Sequence, residues 1–141
     1  MNTNPIKVFL DSSVIIAGLA SATGASHKVL ALAELKLIRP YVSEDVISEV
    51  LRNAQKKLPD SLAHFYMLFK ILPFRIVDPT VKDLEHAKTL INNKDAPILA
   101  AAMAGQADWL LSLDKHFLAA GLQEKAGFAI GPPGKFLLEC F

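Results

Sequence analysis

Ile6-Lys7-Val8-Phe9-Leu10-Asp11 is a short apolar run that closes on a carboxylate, and Trp109-Leu110-Leu111-Ser112-Leu113-Asp114 does the same near the other end of the chain. Between and around them, apolar runs of four to six residues alternate with longer stretches of helical period. That alternation is the pattern of parallel strands joined by crossover helices. The spacing predicts strands at residues 6–10, 37–42, 74–77 and 109–113, with a fifth near 128–130. In an open parallel sheet the ligand site lies outside the carboxyl ends of the strands, so Asp11 and Asp114 both arrive at the edge where chemistry is expected.

Helices fill the intervals. Val14-Ile15-Ile16-Ala17-Gly18-Leu19 opens a short first helix that Gly24 breaks, and Ser26 is the expected cap of a second one reaching Lys36. Ser43 precedes the clearest helix in the chain. Glu44 and Asp45 suit the positive end of its dipole, Lys56 and Lys57 the negative end, and Val46, Ile47, Val50, Leu51, Ala54 and Leu58 make one apolar stripe. A further helix is expected over 61–72, stopped by Pro73. Thr80 and Asp83 form a capping-box pattern, with Asp in place of Glu, ahead of Val81, Leu84, Ala87, Leu90 and Ile91. Ala96-Pro97-Ile98-Leu99-Ala100-Ala101-Ala102-Met103-Ala104 reads as an almost wholly buried helix with Pro97 in its first turn. Gly131-Pro132-Pro133-Gly134 reads as a stiff turn, and the tail from Lys135 to Phe141 is apolar enough to dock on the body or on a partner.

A chain of 141 residues is expected to form a single domain, residues 1–141, with a real core. Its 52% apolar and 21% charged residues are a globular composition, and no stretch is apolar for the roughly eighteen residues that a membrane span needs. Met1-Asn2-Thr3-Asn4-Pro5 lacks the basic start and apolar run of a secretory signal. A cytoplasmic protein with no membrane segment is the expectation. The lone Cys140 cannot form an internal disulfide and suits a reducing compartment. A formal net charge of +1 argues against the diffuse basic coat of sequence-blind nucleic-acid binders, so any nucleic-acid surface has to be local.

Four acids in four segments, Asp11, Glu49, Asp95 and Asp114, stand where such a fold could deliver them to one sheet edge. Each also has a plainer role. Asp11 before Ser12-Ser13 can be a turn residue or helix cap, Asp114 can open a polar turn, and Asp95 before Ala96-Pro97 is a good N-cap, worth about 1 kcal/mol. Glu49 falls roughly 60° outside the apolar stripe of its helix. That suits a cleft rim, and it suits at least as well a solvated face on which Glu49 pairs with Arg52. Asp108 precedes the strand that Asp114 follows, on the order of 20 Å away at about 3.3 Å per residue, and is excluded from the site. Asp78 also follows a strand, and spacing alone does not eliminate it.

Val8-Phe9-Leu10-Asp11-Ser12-Ser13-Val14-Ile15, Ser43-Glu44-Asp45-Val46-Ile47-Ser48-Glu49-Val50, Asp95-Ala96-Pro97-Ile98-Leu99-Ala100-Ala101-Ala102 and Leu110-Leu111-Ser112-Leu113-Asp114-Lys115-His116-Phe117, in this order, resemble the PIN-domain nucleases, including the toxin halves of toxin–antitoxin pairs. The family usually has Thr, then Asn or Ser, where Ser12 and Ser13 stand, and Thr where Ser112 stands; a hydroxyl is kept. The resemblance implies a PIN-like three-layer α/β/α fold, a central parallel sheet of four or five strands flanked by helices, and often a homodimer. It puts Asp11, Glu49, Asp95 and Asp114 in the places of the family's metal-site acids, which sets Asp78 aside.

Two carboxylates about 4 Å apart repel by roughly 4 kcal/mol at an effective dielectric near 20, so four in one cleft need protons or cations beside them. Oxygen donors select Mg2+ or Mn2+. The expectation is a metal-dependent endoribonuclease, with Asp11, Asp95 and Asp114 as direct or water-mediated ligands and Glu49 as a ligand or the residue that orients water. Ser12, Ser13 and Ser112 would hydrogen-bond phosphate or the water around the metal, and Arg52, Lys94, Lys115 and His116 would grip RNA. A cognate antitoxin is the implied protein partner. The rival reading is a PIN-fold binding module with little turnover, acting through a protein partner or RNA. A phosphoryl-acceptor aspartate is disfavoured: Ser13 stands where a haloacid-dehalogenase-type site has its second Asp, and the acidic pair of response-regulator receivers is missing.

Overall fold

Val8, Phe9 and Leu10 are fully buried, as a strand covered on both faces must be, and they lie at the centre of the sheet. The computed structural model describes residues 4–141; the polar opening read against a secretory signal begins with Met1, Asn2 and Thr3, which lie outside them. Strands β1 (Ile6–Leu10), β2 (Ile38–Val42), β3 (Arg75–Ile76), β4 (Trp109–Leu111) and β5 (Ala129–Gly131) form one parallel sheet in the order β3-β2-β1-β4-β5. The chain steps outward from β1 through β2 to β3, then returns to the far side of β1 for β4. The direction of winding therefore reverses between β1 and β4, where Leu10 is level with Leu111, and the next residues along, Asp11 and Ser112, emerge side by side at the carboxyl edge.

The connections are helices α1 (Ser12–Ala20), α2 (Ala25–Glu34), α3 (Glu44–Lys57), α4 (Leu62–Ile71), α5 (Val81–Lys88), α6 (Ala96–Ala104), α7 (Leu122–Ala126) and α8 (Pro133–Cys140). Right-handed crossovers put the outward-stepping helices on one face and the returning pair, α5 and α6, on the other. The packing agrees: α1 lies on α2 and α3, α3 on α4 and α8 on α2, while α5 lies on α6. The result is an α/β/α sandwich. α6 approaches the sheet with Ala96, Ala100, Ala101 and Ala102 all fully buried; small side chains let its backbone come close. Among the described residues no single helix is long and apolar enough to cross a membrane.

Several local expectations are corrected. Gly24, not Ser26, is the N-cap of α2, and Ser26 is buried inside that helix. α2 ends at Glu34 because Lys36 turns into the left-handed region at φ 62°. Thr80 does cap α5, accepting from the Asp83 amide at 3.0 Å, but the Asp83 carboxylate accepts from the Thr80 hydroxyl at 2.8 Å rather than reaching back to an amide. β4 stops at Leu111, since the Leu113 amide turns aside to Ser13 Oγ at 3.0 Å. α7 was not anticipated; Gly121 and Gly127 bracket it at φ 87° and 83°, where other residues are strained. Pro133 and Gly134 are not a turn but the start of α8, which docks as expected: Phe136 is fully buried and meets Trp109 edge-on with ring centroids 5.3 Å apart. Cys140 is partly buried, and burial pushes its thiol pKa up.

Candidate active site in a cleft at the carboxyl edge

A cleft of about 510 Å³ opens where the winding reverses, lined by Asp11, Ser12 and Ser13 after β1, by α3, by the start of α6, and by Asp114 after β4. All four acids singled out from the sequence line it. So does Asp45, and against these five carboxylates the cleft presents, among the described residues, only Arg52 and Lys94 as cations.

Asp11 is the N-cap of α1 and is only 6% exposed. Its Oδ1 accepts the Ser12 amide at 2.8 Å, and its Oδ2 accepts the hydroxyls of Ser112 at 2.7 Å and Ser13 at 3.3 Å. Burial holds its pKa above the usual carboxylate value; the hydrogen bonds from Ser112 and Ser12 oppose the rise and the negative charge of Glu49 adds to it. Ser112 is fully buried and also accepts the Asp114 amide at 3.0 Å. Its hydroxyl therefore ties the two strand ends together. Ser112, expected on phosphate or water, makes these two bonds inside the protein, and Ser13 is engaged in the same way, donating to Asp11 and accepting the Leu113 amide at 3.0 Å.

Asp95 occupies the N-cap position of α6, yet its side chain caps nothing. The reason is local. Pro97 has no amide hydrogen to offer, and the Ile98 amide is already taken by the Asp95 carbonyl at 3.1 Å. The carboxylate turns instead to Asn92, whose Nδ2 donates to Oδ2 at 2.7 Å, and to His116, whose Nδ1 lies 3.0 Å from the same oxygen. Asp114 is partly exposed; its Oδ1 accepts the His116 amide at 2.8 Å and stands 3.4 Å from His116 Nδ1. One ligand atom each from Asp95, Asp114 and His116 lies within 4.8 Å of the others.

Glu49 is half-buried and faces the cleft from α3. Among the described residues the ion pairs within 4.0 Å all involve His116, so Glu49 does not pair with Arg52. Lys94 and Arg52 line the cleft, Lys115 is exposed beyond its lining, and His116, expected as a grip on RNA, sits against Asp95 and Asp114. The other strand-end acids resolve as structure. Asp78 accepts the Glu44 amide at 3.1 Å and so caps α3. Asp108 accepts the Lys7 amide at 2.8 Å at the opposite edge.

Asn92 was missed, and nothing in its neighbourhood marks it before the fold brings it beside Asp95. Asp45, Ser48 and Asn53 were missed too, and there a signal existed. Residues 45, 48, 49, 52 and 53 fall on one helical face, a polar stripe beside the apolar one. The donor set, hard carboxylate oxygens with one imidazole nitrogen, fits a divalent cation.

An open parallel α/β sheet with a carboxylate-lined cleft at the point where its winding reverses defines the class of protein. Residues 7–116 match the PIN domain, and the chain belongs to that family. Among curated protein sequences none matches it. Solved structures share the fold: VapBC2 from Rickettsia felis, bound to a DNA fragment from its promoter, with TM-score 0.64 and 17% identity over 89% of this chain and 97% of that one; VapBC-1 from nontypeable Haemophilus influenzae, with TM-score 0.63 and 19% identity over 92% and 99%; and VapC20 from Mycobacterium tuberculosis, described as a toxin that cleaves the sarcin–ricin loop, with TM-score 0.53 and 19% identity over 81% and 95%.

Proposed function

We propose that this chain is a divalent-cation-dependent endoribonuclease, acting as a single PIN-like domain over residues 1–141, and that it is the toxin half of a toxin–antitoxin pair. One observation carries the reading: five carboxylates line one cleft against two cations. Such a surplus is stable only with protons or cations beside it, and oxygen donors suit Mg2+ or Mn2+. Asp11, Asp95 and Asp114 would hold the ion directly or through water, with Glu49 a further ligand or the residue that orients the attacking water. When bound, such an ion makes water more acidic and shields the charge that builds on the scissile phosphate.

The chain's own residues do the positioning. Ser12, Ser13 and Ser112 immobilise Asp11, and Asn92 immobilises Asp95. Preorganised oxygens need no rearrangement when charge develops. The Ser12 hydroxyl makes no hydrogen bond among the described residues and lines the cleft, so it can donate to a phosphate oxygen. Arg52 and Lys94 can pair with phosphates on either side, and exposed Lys115 extends that grip.

RNA as the substrate class is favoured by the Mycobacterium neighbour, described as cleaving the sarcin–ricin loop. An antitoxin-type protein partner is favoured by the VapBC neighbours. It is also favoured by an apolar groove of about 450 Å³ along α1, α2 and α4, where Met67 and Ile71 are exposed. That groove is also what supports the rival reading of a binding module with little turnover. The purified chain should cut single-stranded RNA with Mn2+ or Mg2+, stop in EDTA, and lose the activity in Asp95→Asn. Cleavage that survives both EDTA and Asp95→Asn overturns the cation-dependent mechanism at this site; binding of RNA or partner without ion-dependent cleavage establishes the rival.

A further inference from the structure

We infer that His116 is a nitrogen ligand of the cleft ion and that it turns the site toward first-row transition ions over magnesium. This rests on the cation-dependent reading above and deepens it. Nδ1 of His116 lies 3.0 Å from Asp95 Oδ2 and 3.4 Å from Asp114 Oδ1, and a ligand atom from each of the three residues lies within 4.8 Å of the other two. Ligand atoms around one octahedral ion at about 2.0–2.1 Å sit roughly 3–4 Å apart, so the three are nearly at coordinating spacing.

The imidazole is held there from two sides. The His116 amide donates to Asp114 Oδ1 at 2.8 Å, which ties the ring to the loop whose carboxylate it joins. Asn92 holds Asp95 at 2.7 Å from the other side. The side chain is 50% exposed, so Nε2 can carry the imidazole proton in water and leave the Nδ1 lone pair for an ion. A cleft of carboxylates alone would suit magnesium, which prefers oxygen; an imidazole in the set favours transition ions. The competing role is a positioning one, in which Nδ1–H merely donates to Asp95 and ion preference follows the carboxylates.

Manganese is the probe and magnesium the comparison, each titrated calorimetrically into the full chain without RNA, with spin-echo envelope modulation recorded on bound manganese. The expected result is manganese binding at least about tenfold tighter than magnesium, with modulation from a directly bound 14N nucleus. His116→Ala and His116→Asn, the latter keeping an N–H donor near the Nδ1 position, should both lose the nitrogen signal. Both should also weaken manganese by about tenfold or more while magnesium shifts less than about threefold. Bound manganese without a nitrogen signal, or a manganese-to-magnesium ratio unchanged in both variants, overturns the inference and leaves His116 a positioning residue. If the wild-type chain binds neither ion, the cation-dependent reading itself fails.

Discussion

The two ends of the β1–β4 pair use aspartate in opposite ways. At the amino end Asp108 faces one free amide, that of Lys7, takes it at 2.8 Å and is satisfied. At the carboxyl end Asp11, Asp95 and Asp114 converge with Glu49 and Asp45 on a cleft holding two cationic side chains. Asp11, Asp95 and Asp114 each accept hydrogen bonds as well, so having a donor does not make an acid merely structural; acids that outnumber the cations among them are a demand for positive charge. Counting cations against acids, rather than hydrogen-bond donors, separates a cap from a site.

Mutations at the two ends should therefore differ most in activity. Asp114→Asn is expected to lower kcat/KM for RNA cleavage by at least about a hundredfold, since a lost ligand removes several kcal/mol of charge stabilisation, while Asp108→Asn leaves it unchanged; equal losses in a cleavage assay would erase the distinction. Ser112→Ala should follow with about a ten- to hundredfold loss, because it frees the Asp11 carboxylate and orphans the Asp114 amide without touching substrate. A loss of affinity for RNA with kcat intact would instead restore Ser112 as a contact.

The third comparison is one of stability. The folded-state pKa of Asp11 is raised above its ordinary value of 3.8, chiefly by burial. A raised pKa means that folding favours the protonated acid, so its contribution is fully present below pH 3.8 and is lost as pH rises through the folded-state value. In EDTA at neutral pH, Asp11→Asn should then melt higher than the wild type, with the advantage shrinking on acidification. Added Mn2+ should raise the wild type by about 2.7 kcal/mol at a hundred times its dissociation constant and the variant by less. A variant that melts lower at every pH would mean that the three hydrogen bonds to Asp11 outweigh its burial. The smallest effect is expected at the other end, where Asp108→Asn should cost about 0.5–1.5 kcal/mol of unfolding free energy in a denaturant titration.

Much of this was legible beforehand. The strands were located because buried parallel strands are continuous apolar runs, and the start of α3 because Ser43, Glu44 and Asp45 complement a helix terminus. β4 ends two residues before the apolar run that predicts it, because the nearby Ser13 hydroxyl, from the turn after β1, diverts the Leu113 amide. α7 was invisible because five residues between glycines carry no periodicity to read. For Glu49, helical spacing left rim and solvated face open, and the choice depended on where α3 lies relative to β1.

Local chemistry by itself determined the alternation of strands and helices, the carboxylates at the strand ends and the PIN-type order of the motifs, because each is written within a few consecutive residues. The tertiary structure alone decided which oxygens are spent and which are spare. Ser112 binds Asp11 inside the protein, Asp78 caps α3, and His116 and Asn92 close on Asp95 across 21 and three residues of chain. A hydrogen bond depends on distance in space, and distance along the chain does not carry that information.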